Sequence, residues 1–160
     1  MTASLELDRT DWKILRELQQ DGRMTNVELA RRVGLSPAPC LRRVRVLEND
    51  GYILGYRALL ESSRLGYGIM MFALVSLQTP GEADLLSFEA RAKRWPLVRE
   101  CYALSGEADF MLTCVAPDLH TAQQFVIEEL TPANNVRQVR TMLTLKTSKY
   151  EPRVPIESQS

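Results

Sequence analysis

Two stretches of this 160-residue chain carry the side chains best suited to recognition chemistry. In residues 35–48, Ser36 can cap a helix that opens on Pro37, where the missing N–H would have lacked an intrahelical partner anyway. Pro39 fits the same first turn, because the carbonyl its ring would meet belongs to Leu35, ahead of the helix. At about 100° per residue, Cys40, Leu41, Val44, Leu47 and Glu48 cluster on one side, while Ala38, Pro39, Arg42, Arg45, Val46 and Asn49 point largely the other way. A helix that shows water small apolar residues and then arginines suits a groove lined with phosphates. Guanidinium groups match both phosphate oxygens and the guanine edge. On this helix alone, an ordinary solvated face accounts for the arginines equally well.

The second stretch is residues 104–109: Leu104, Ser105, Gly106, Glu107, Ala108 and Asp109. Gly and Ser permit a tight turn whose free N–H groups can bind a carboxylate, and Asp109 can accept from an ammonium. Such a loop can hold both ends of a free amino acid. A plain hairpin turn explains the same residues.

Other chemistries find little support. The sole histidine, His120, follows Leu119 on a helical stretch without a companion ligand, and no Gly-rich phosphate loop, Ser/His/Asp set or paired carboxylates can be recognised. No enzyme, metal or cofactor is expected. Cys40, Cys101 and Cys114 are scattered without CxxC spacing, which points to buried thiols in a reducing compartment and away from a disulfide framework or zinc site. The N-terminus has no basic segment leading into an apolar run, and no window approaches about 18 uninterrupted apolar residues, so a cytoplasmic, soluble protein without membrane contact is expected. Formal net charge is zero, so electrostatic affinity must come from local patches. Five arginines and no acid lie between Leu29 and Leu47.

The elements around the first stretch give it a setting. Asp8, with Asp11 three residues on, caps a helix whose stripe is Trp12, Ile14, Leu15 and Leu18 and which stops at Asp21-Gly22. Thr25 and Glu28 form a capping-box pattern before Leu29, Ala30 and Val33, with Gly34 as the stop. Only Leu35 separates that glycine from Ser36. Two short helices joined by a Gly-containing turn, the second one basic, is the helix-turn-helix arrangement. After Asn49-Asp50-Gly51, residues 52–60 are aromatic and branched enough to be a strand, a wing beside the helices. A three-helix protein-binding module remains the alternative.

The remaining residues read as a doubled strand-helix-strand unit. An apolar run, residues 69–77, predicts a strand buried on both faces; Pro80-Gly81 ends it, and Leu85, Phe88, Ala92 and Trp95 follow at helical spacing. Residues 97–104 and 110–116 predict a hairpin. Pro117-Asp118 opens a helix carrying Leu119, Ala122, Phe125, Val126 and Leu130, and residues 136–147 form a last strand. The doubled unit predicts a four-stranded antiparallel sheet with both helices on one face, the ferredoxin-like arrangement. Along the last strand Val139, Thr141, Leu143 and Leu145 share one side, and Gln138, Arg140, Met142, Thr144 and Lys146 the other. Because the first strand is apolar on both sides, the open sheet face is expected to meet a second copy, giving a homodimer; simple cover by the N-terminal domain is the alternative.

Leu7-Asp8-Arg9-Thr10-Asp11, Ile14-Leu15, Asp21-Gly22-Arg23, Glu28-Leu29-Ala30, Val33-Gly34-Leu35-Ser36-Pro37, Arg43-Val44, Leu47-Glu48 and Gly51-Tyr52-Ile53 together resemble the leucine-responsive (Lrp/AsnC, feast/famine) regulators. The resemblance implies an α+β protein: an N-terminal winged helix-turn-helix over residues 1–51, a linker strand over 52–66, a ferredoxin-like βαββαβ (RAM-type) effector and oligomerisation domain over 67–150, and a tail over 151–160. Its expected partners are double-stranded operator DNA, an amino-acid effector, and further copies forming a homodimer that assembles to a tetramer or octamer. The expected DNA surface is Thr25, Asn26, Ser36, Pro37, Ala38, Pro39, Arg42, Arg43 and Arg45. The family carries a Gly-x-x-Asp turn at its effector site, matched here by Gly106 and Asp109. The same resemblance implies Ala103, Leu104, Leu119, Met142, Leu143 and Thr144 as pocket wall. The family's frequent Pro-Gly before the final strand is Asn134-Asn135 here.

Overall fold

The computed structural model describes residues 6–156; residues 1–5 and residues 157–160 of the tail lie outside the described residues. The chain divides into two compact units, one of residues up to Leu59 joined by the segment from Lys149 onward, the other Leu60–Ser148.

The first unit is three helices, α1 (Arg9–Gln20), α2 (Asn26–Val33) and α3 (Pro37–Asn49). Asp8 caps α1 in a full capping box, accepting from the Thr10 and Asp11 N–H groups while Asp11 accepts from the Asp8 N–H. At α2 the box is half formed: Thr25 accepts from the Glu28 N–H, but the Glu28 carboxylate turns to Arg31 and Arg32. Gly34 ends α2 in the left-handed conformation, φ 77° and ψ 34°, which glycine adopts without a Cβ penalty. Ser36 has cap geometry but makes no side-chain cap hydrogen bond. The core is Ile14, Leu29, Ala30, Val33, Cys40, Val44 and Leu47, with Leu15, Leu18 and Ile53 packed against it. Leu41 and Glu48, placed on the buried side by helical phase, are exposed, because α3 presents only a narrow stripe to two short helices.

The strand expected over residues 52–60 does not form. Its start is pinned to α3 by the Tyr52 and Ile53 N–H groups, which both donate to the Leu47 carbonyl, and the Tyr56 hydroxyl donates to Glu48 at 3.0 Å. No other strand exists in this unit among the described residues, so the segment runs extended without a ladder. The linker's regular structure is a single 3-10 turn, Ser62–Leu65. The chain's end belongs to this unit: the Gln19 amide donates to the Val154 carbonyl and accepts from its N–H, both at 2.8 Å.

The second unit is β1 (Ile69–Leu77), α4 (Glu82–Ala92), β2 (Val98–Ala103), β3 (Phe110–Ala116), α5 (Leu119–Gln124) running on as a π-helical turn (Phe125–Leu130), and β4 (Val136–Leu143). The strand order β2-β3-β1-β4, all antiparallel, is the ferredoxin-like sheet. Met71, Ala73 and Val75 stand opposite Cys114, Leu112 and Phe110, and together with Leu77 and Ala116 they face both helices. Phe88 stacks on Phe110 with centroids 4.6 Å apart. The opposite face, with Met70, Phe72, Leu74, Met111 and Val115, is only half-buried in the single chain. β4 stops at Leu143, short of the expected Thr147; past it the Thr144 N–H still donates to the Met70 carbonyl, and β1 itself begins at Ile69. Asn135 stands at φ 65°, and its side chain bonds the Thr79 N–H, hydroxyl and carbonyl. Asparagine tolerates that left-handed geometry, so it closes the turn where the family often has Pro-Gly. Cys114 is fully buried, which pushes its thiol up to about 12, and Cys101 is half-buried beside it.

Candidate functional site

The helix-turn-helix is locked by polar contacts that sort its basic residues. Asn26 donates from its side-chain amide to the Pro37 carbonyl at 2.8 Å, fixing the start of α3 against the start of α2. Arg31 and Arg32 both bond Glu28, at 2.7 and 2.8 Å, and Arg32 also reaches Glu17 at 3.0 Å. These guanidinium groups hold the Glu28 carboxyl down to about 2. Arg43 donates through Nη1 to Asp8 at 2.7 Å and to Asp11 at 2.8 Å. Of the five arginines between Leu29 and Leu47, three are therefore consumed inside the domain.

Arg42 and Arg45 remain. Both are exposed, and neither side chain forms a hydrogen bond or ion pair among the described residues. Before them stand the exposed Ser36, Pro37 and Ala38 and the half-buried Pro39. Two prolines strip N–H groups from this first turn, so it offers a small apolar surface that can approach a base-pair edge, with the Ser36 hydroxyl not spent on capping. Arg43, grouped with these residues by sequence, lies one step round the helix, where the N-terminus of α1 claims it. That assignment follows from contacts thirty-odd residues away in sequence, which helical phase does not reveal.

The second site forms around residues 104–109, between β2 and β3. Gly106 has φ 151°, and the Leu104 N–H donates to the Asp109 carbonyl at 2.8 Å to close the loop. Asp109 is tied to the sheet: its N–H donates to the Val75 carbonyl, and its Oδ2 accepts from the Leu77 N–H at 2.7 Å. Its carboxylate is thus a clamp on the end of β1. A hollow of about 240 Å³ lies beside the loop, lined by Leu74, Ser76, residues 104–108, Gln138 and Arg140. Its charged groups are Arg140 and Glu107, 3.8 Å apart and well exposed.

The expected wall residues are not all brought together. Leu119 and Leu143 line a different, apolar hollow with Met71, Val126 and Ile127 on the helix side of the sheet. Met142 pairs with Phe72 on the open face, and Ala103 sits opposite Phe110. Thr144 donates its N–H to the Met70 carbonyl, and its buried hydroxyl has no partner among the described residues. Sequence reasoning missed Ser76, Gln138 and Arg140 as lining groups. The strand alternation that put Gln138, Arg140 and Met142 on one face was the signal that could have found the last two. No group of three or more His, Cys, Asp or Glu suited to a metal occurs among the described residues, nor does a helix long and apolar enough to cross a membrane.

Comparison with known proteins agrees with both halves. A winged helix-turn-helix DNA-binding model matches residues 7–53, and a model of the Lrp/AsnC ligand binding domain matches residues 70–154. A leucine-responsive regulatory protein of Rhizobium meliloti is 58% identical over 149 residues, covering 93% of this chain and 96% of its own. One from Salmonella typhimurium is 38% identical over 154 residues, covering 96% and 94%. Among solved structures, a Neisseria meningitidis transcriptional regulator in complex with L-Met superposes with a TM-score of 0.87 at 40% identity, covering 93% of this chain and 96% of its own. An AsnC family regulator of Agrobacterium tumefaciens gives 0.86 at 32%, covering 93% and 97%. The helix-turn-helix of α2 and α3, the ferredoxin-like sheet and these matches over nearly the whole chain place it in the Lrp/AsnC family of DNA-binding transcriptional regulators with an effector-binding domain.

Proposed function

We propose that the α3 face reads operator DNA through Ser36, Pro37, Ala38, Arg42 and Arg45, and that a small apolar amino acid held at the 104–109 loop sets how copies of the chain associate on it. Thr25, Asn26 and Pro39 border that face, and Arg43 supports it from behind. The observation that carries the reading is the pair of exposed, unspent arginines behind a small apolar first turn. The relatives' names, leucine-responsive, and the L-Met complex support an apolar amino acid as effector. At the loop, Arg140 is the group suited to its carboxylate and Glu107 to its ammonium. An effector can act only by binding one assembly better than another.

The half-buried apolar face of Met70, Phe72, Leu74, Met111 and Val115 supports a homodimer through the sheet, with tetramers or octamers built from it. Two recognition helices in one dimer reach half-sites about 34 Å apart or multiples of that, so the operator is roughly palindromic. Residues 1–51 form the DNA-binding domain in this reading, 52–66 the linker, 67–150 the effector domain and 151–160 the tail. The protein works as a regulator rather than an enzyme, at the nucleoid in the cytoplasm.

A thermal-shift screen of the twenty amino acids, with the best hit repeated in sedimentation and DNA-shift assays, tests the reading. A hit that changes both assembly size and operator binding, and is lost in Arg140→Ala, is expected. A chain that binds DNA but shifts with no amino acid overturns the effector half.

A further inference from the structure

A hollow of about 800 Å³, larger than the one at the 104–109 loop, lies between α4 and the π-helical end of α5. Phe88, Trp95 and Phe125 line its apolar part, with Phe88 and Phe125 each meeting the Trp95 ring edge to face, at 5.8 and 5.5 Å. Arg91 and Glu129 are occupied by that cluster, the first lying 5.7 Å over the Trp95 ring and the second accepting from its indole N–H at 3.3 Å. Two further charged groups line the hollow and are not occupied: Arg94 on one wall and Glu128 on the other. Both are exposed, and neither side chain makes a hydrogen bond or ion pair among the described residues, not even with the other. Opposite charges that share a cavity yet stand too far apart to pair leave two poles of opposite sign over an aromatic floor.

The wall bearing Glu128 is itself unusual. Residues Phe125–Leu130 are π-helical, closed by the Thr131 N–H donating to the Val126 carbonyl at 2.9 Å; such turns are mostly single-turn insertions in α-helices and are frequent at functional sites. Nothing in the helix-turn-helix or in the 104–109 loop requires it.

We propose that this hollow is a second small-molecule site and that it takes a short apolar peptide with free ends. The peptide's ammonium binds Glu128, its carboxylate binds Arg94, and its side chains lie on Phe88, Trp95 and Phe125. Size separates the two sites: the loop hollow of about 240 Å³ suits a single small zwitterion, whereas about 800 Å³ falls in the range of larger ligands. The separated poles separate a free peptide from an internal segment of a partner protein, which has no charged ends.

Trp12 and Trp95 are the two tryptophans, so the full chain carrying Trp12→Phe reports on Trp95 alone. Its emission is titrated with the dipeptide Leu-Phe, with the N-acetylated and C-amidated forms, and with Leu-Phe under excess L-leucine or L-methionine. A saturable change is expected, with a Kd of about 1 mM or tighter that neither amino acid displaces. Either cap, Glu128→Gln or Arg94→Gln should weaken it about tenfold or more, the loss of one charge-assisted contact. The two substitutions lie on exposed side chains, and unchanged circular dichroism and Tm confirm that the fold is intact. No saturable change, equal binding of capped and free peptide, unaltered affinity in both variants, or displacement by either amino acid overturns the proposal.

Discussion

Arg43→Ala is expected to act on folding before it acts on DNA. The guanidinium bridges Asp8 at 2.7 Å and Asp11 at 2.8 Å, and the Asp11 side chain is only 8% exposed. Removing the cation leaves Asp11 with the Asp8 N–H as its remaining partner and frays the capping box of α1. Exposed pairs contribute about 0–1 kcal/mol, while breaking a buried pair costs about 3–5 kcal/mol. With Arg43 and Asp8 one-third to one-half exposed and Asp11 buried, a loss of about 2 kcal/mol is the expected middle. Urea unfolding checks it: the midpoint should fall at unchanged slope, with Asp11→Asn in the same background adding little further loss. Asp8 supplies a second signature. Its carboxyl is held below the ordinary 3.8, first by the Asp11 N–H and also by Arg43, so its contribution is full above pH about 4 and fades as pH falls through the lowered value. The wild-type advantage over Arg43→Ala should therefore shrink in acid. Unchanged stability together with lost operator binding would refute the reasoning and return Arg43 to the groove.

Arg42→Ala and Arg45→Ala should leave the urea midpoint within about 0.5 kcal/mol, yet weaken operator binding by about 1–3 kcal/mol for a base contact, or flatten the salt slope by about one for a phosphate contact. Isotherms that match wild type across salt would remove α3 from the interface. Gly34→Ala should cost about 1 kcal/mol despite open space around its Cβ position, because the penalty comes from φ 77° rather than from a clash; a neutral Tm would contradict that. Asp109→Ala should cost about 1–3 kcal/mol of stability, since it orphans the Leu77 N–H at the end of β1, and any lost effector response must be judged against that destabilisation. An Asp109→Ala protein as stable as wild type but deaf to its effector would make the carboxylate a direct ligand instead of a clamp.

Much of the architecture was legible in the chain because it rests on short-range rules. The Asp8 and Thr25 caps, the left-handed Gly34 and the stops at Asp21 and Gly51 each involve residues within about four positions of one another, and strand alternation follows from backbone pleating alone. The doubled unit then left one arrangement of four strands and two helices. The candidate residues at the loop were found for the same reason, since Gly106 and its neighbours are contiguous.

What the sequence could not assign were side chains with two possible partners. Arg43 reads as a recognition arginine in the sequence, and only the fold reveals the two carboxylates beside it, 32 and 35 residues away. Asp109 reads as a ligand in the sequence, and only the fold reveals that the N–H at the end of β1 also draws on its carboxylate. Residues 52–60 have the composition of a strand, but a strand needs a neighbour, and the first unit has none among the described residues. Helix caps and periodicity are written in local sequence because the groups they satisfy are local. Which arginines and which carboxylates are left without a partner is decided only when distant elements claim the others.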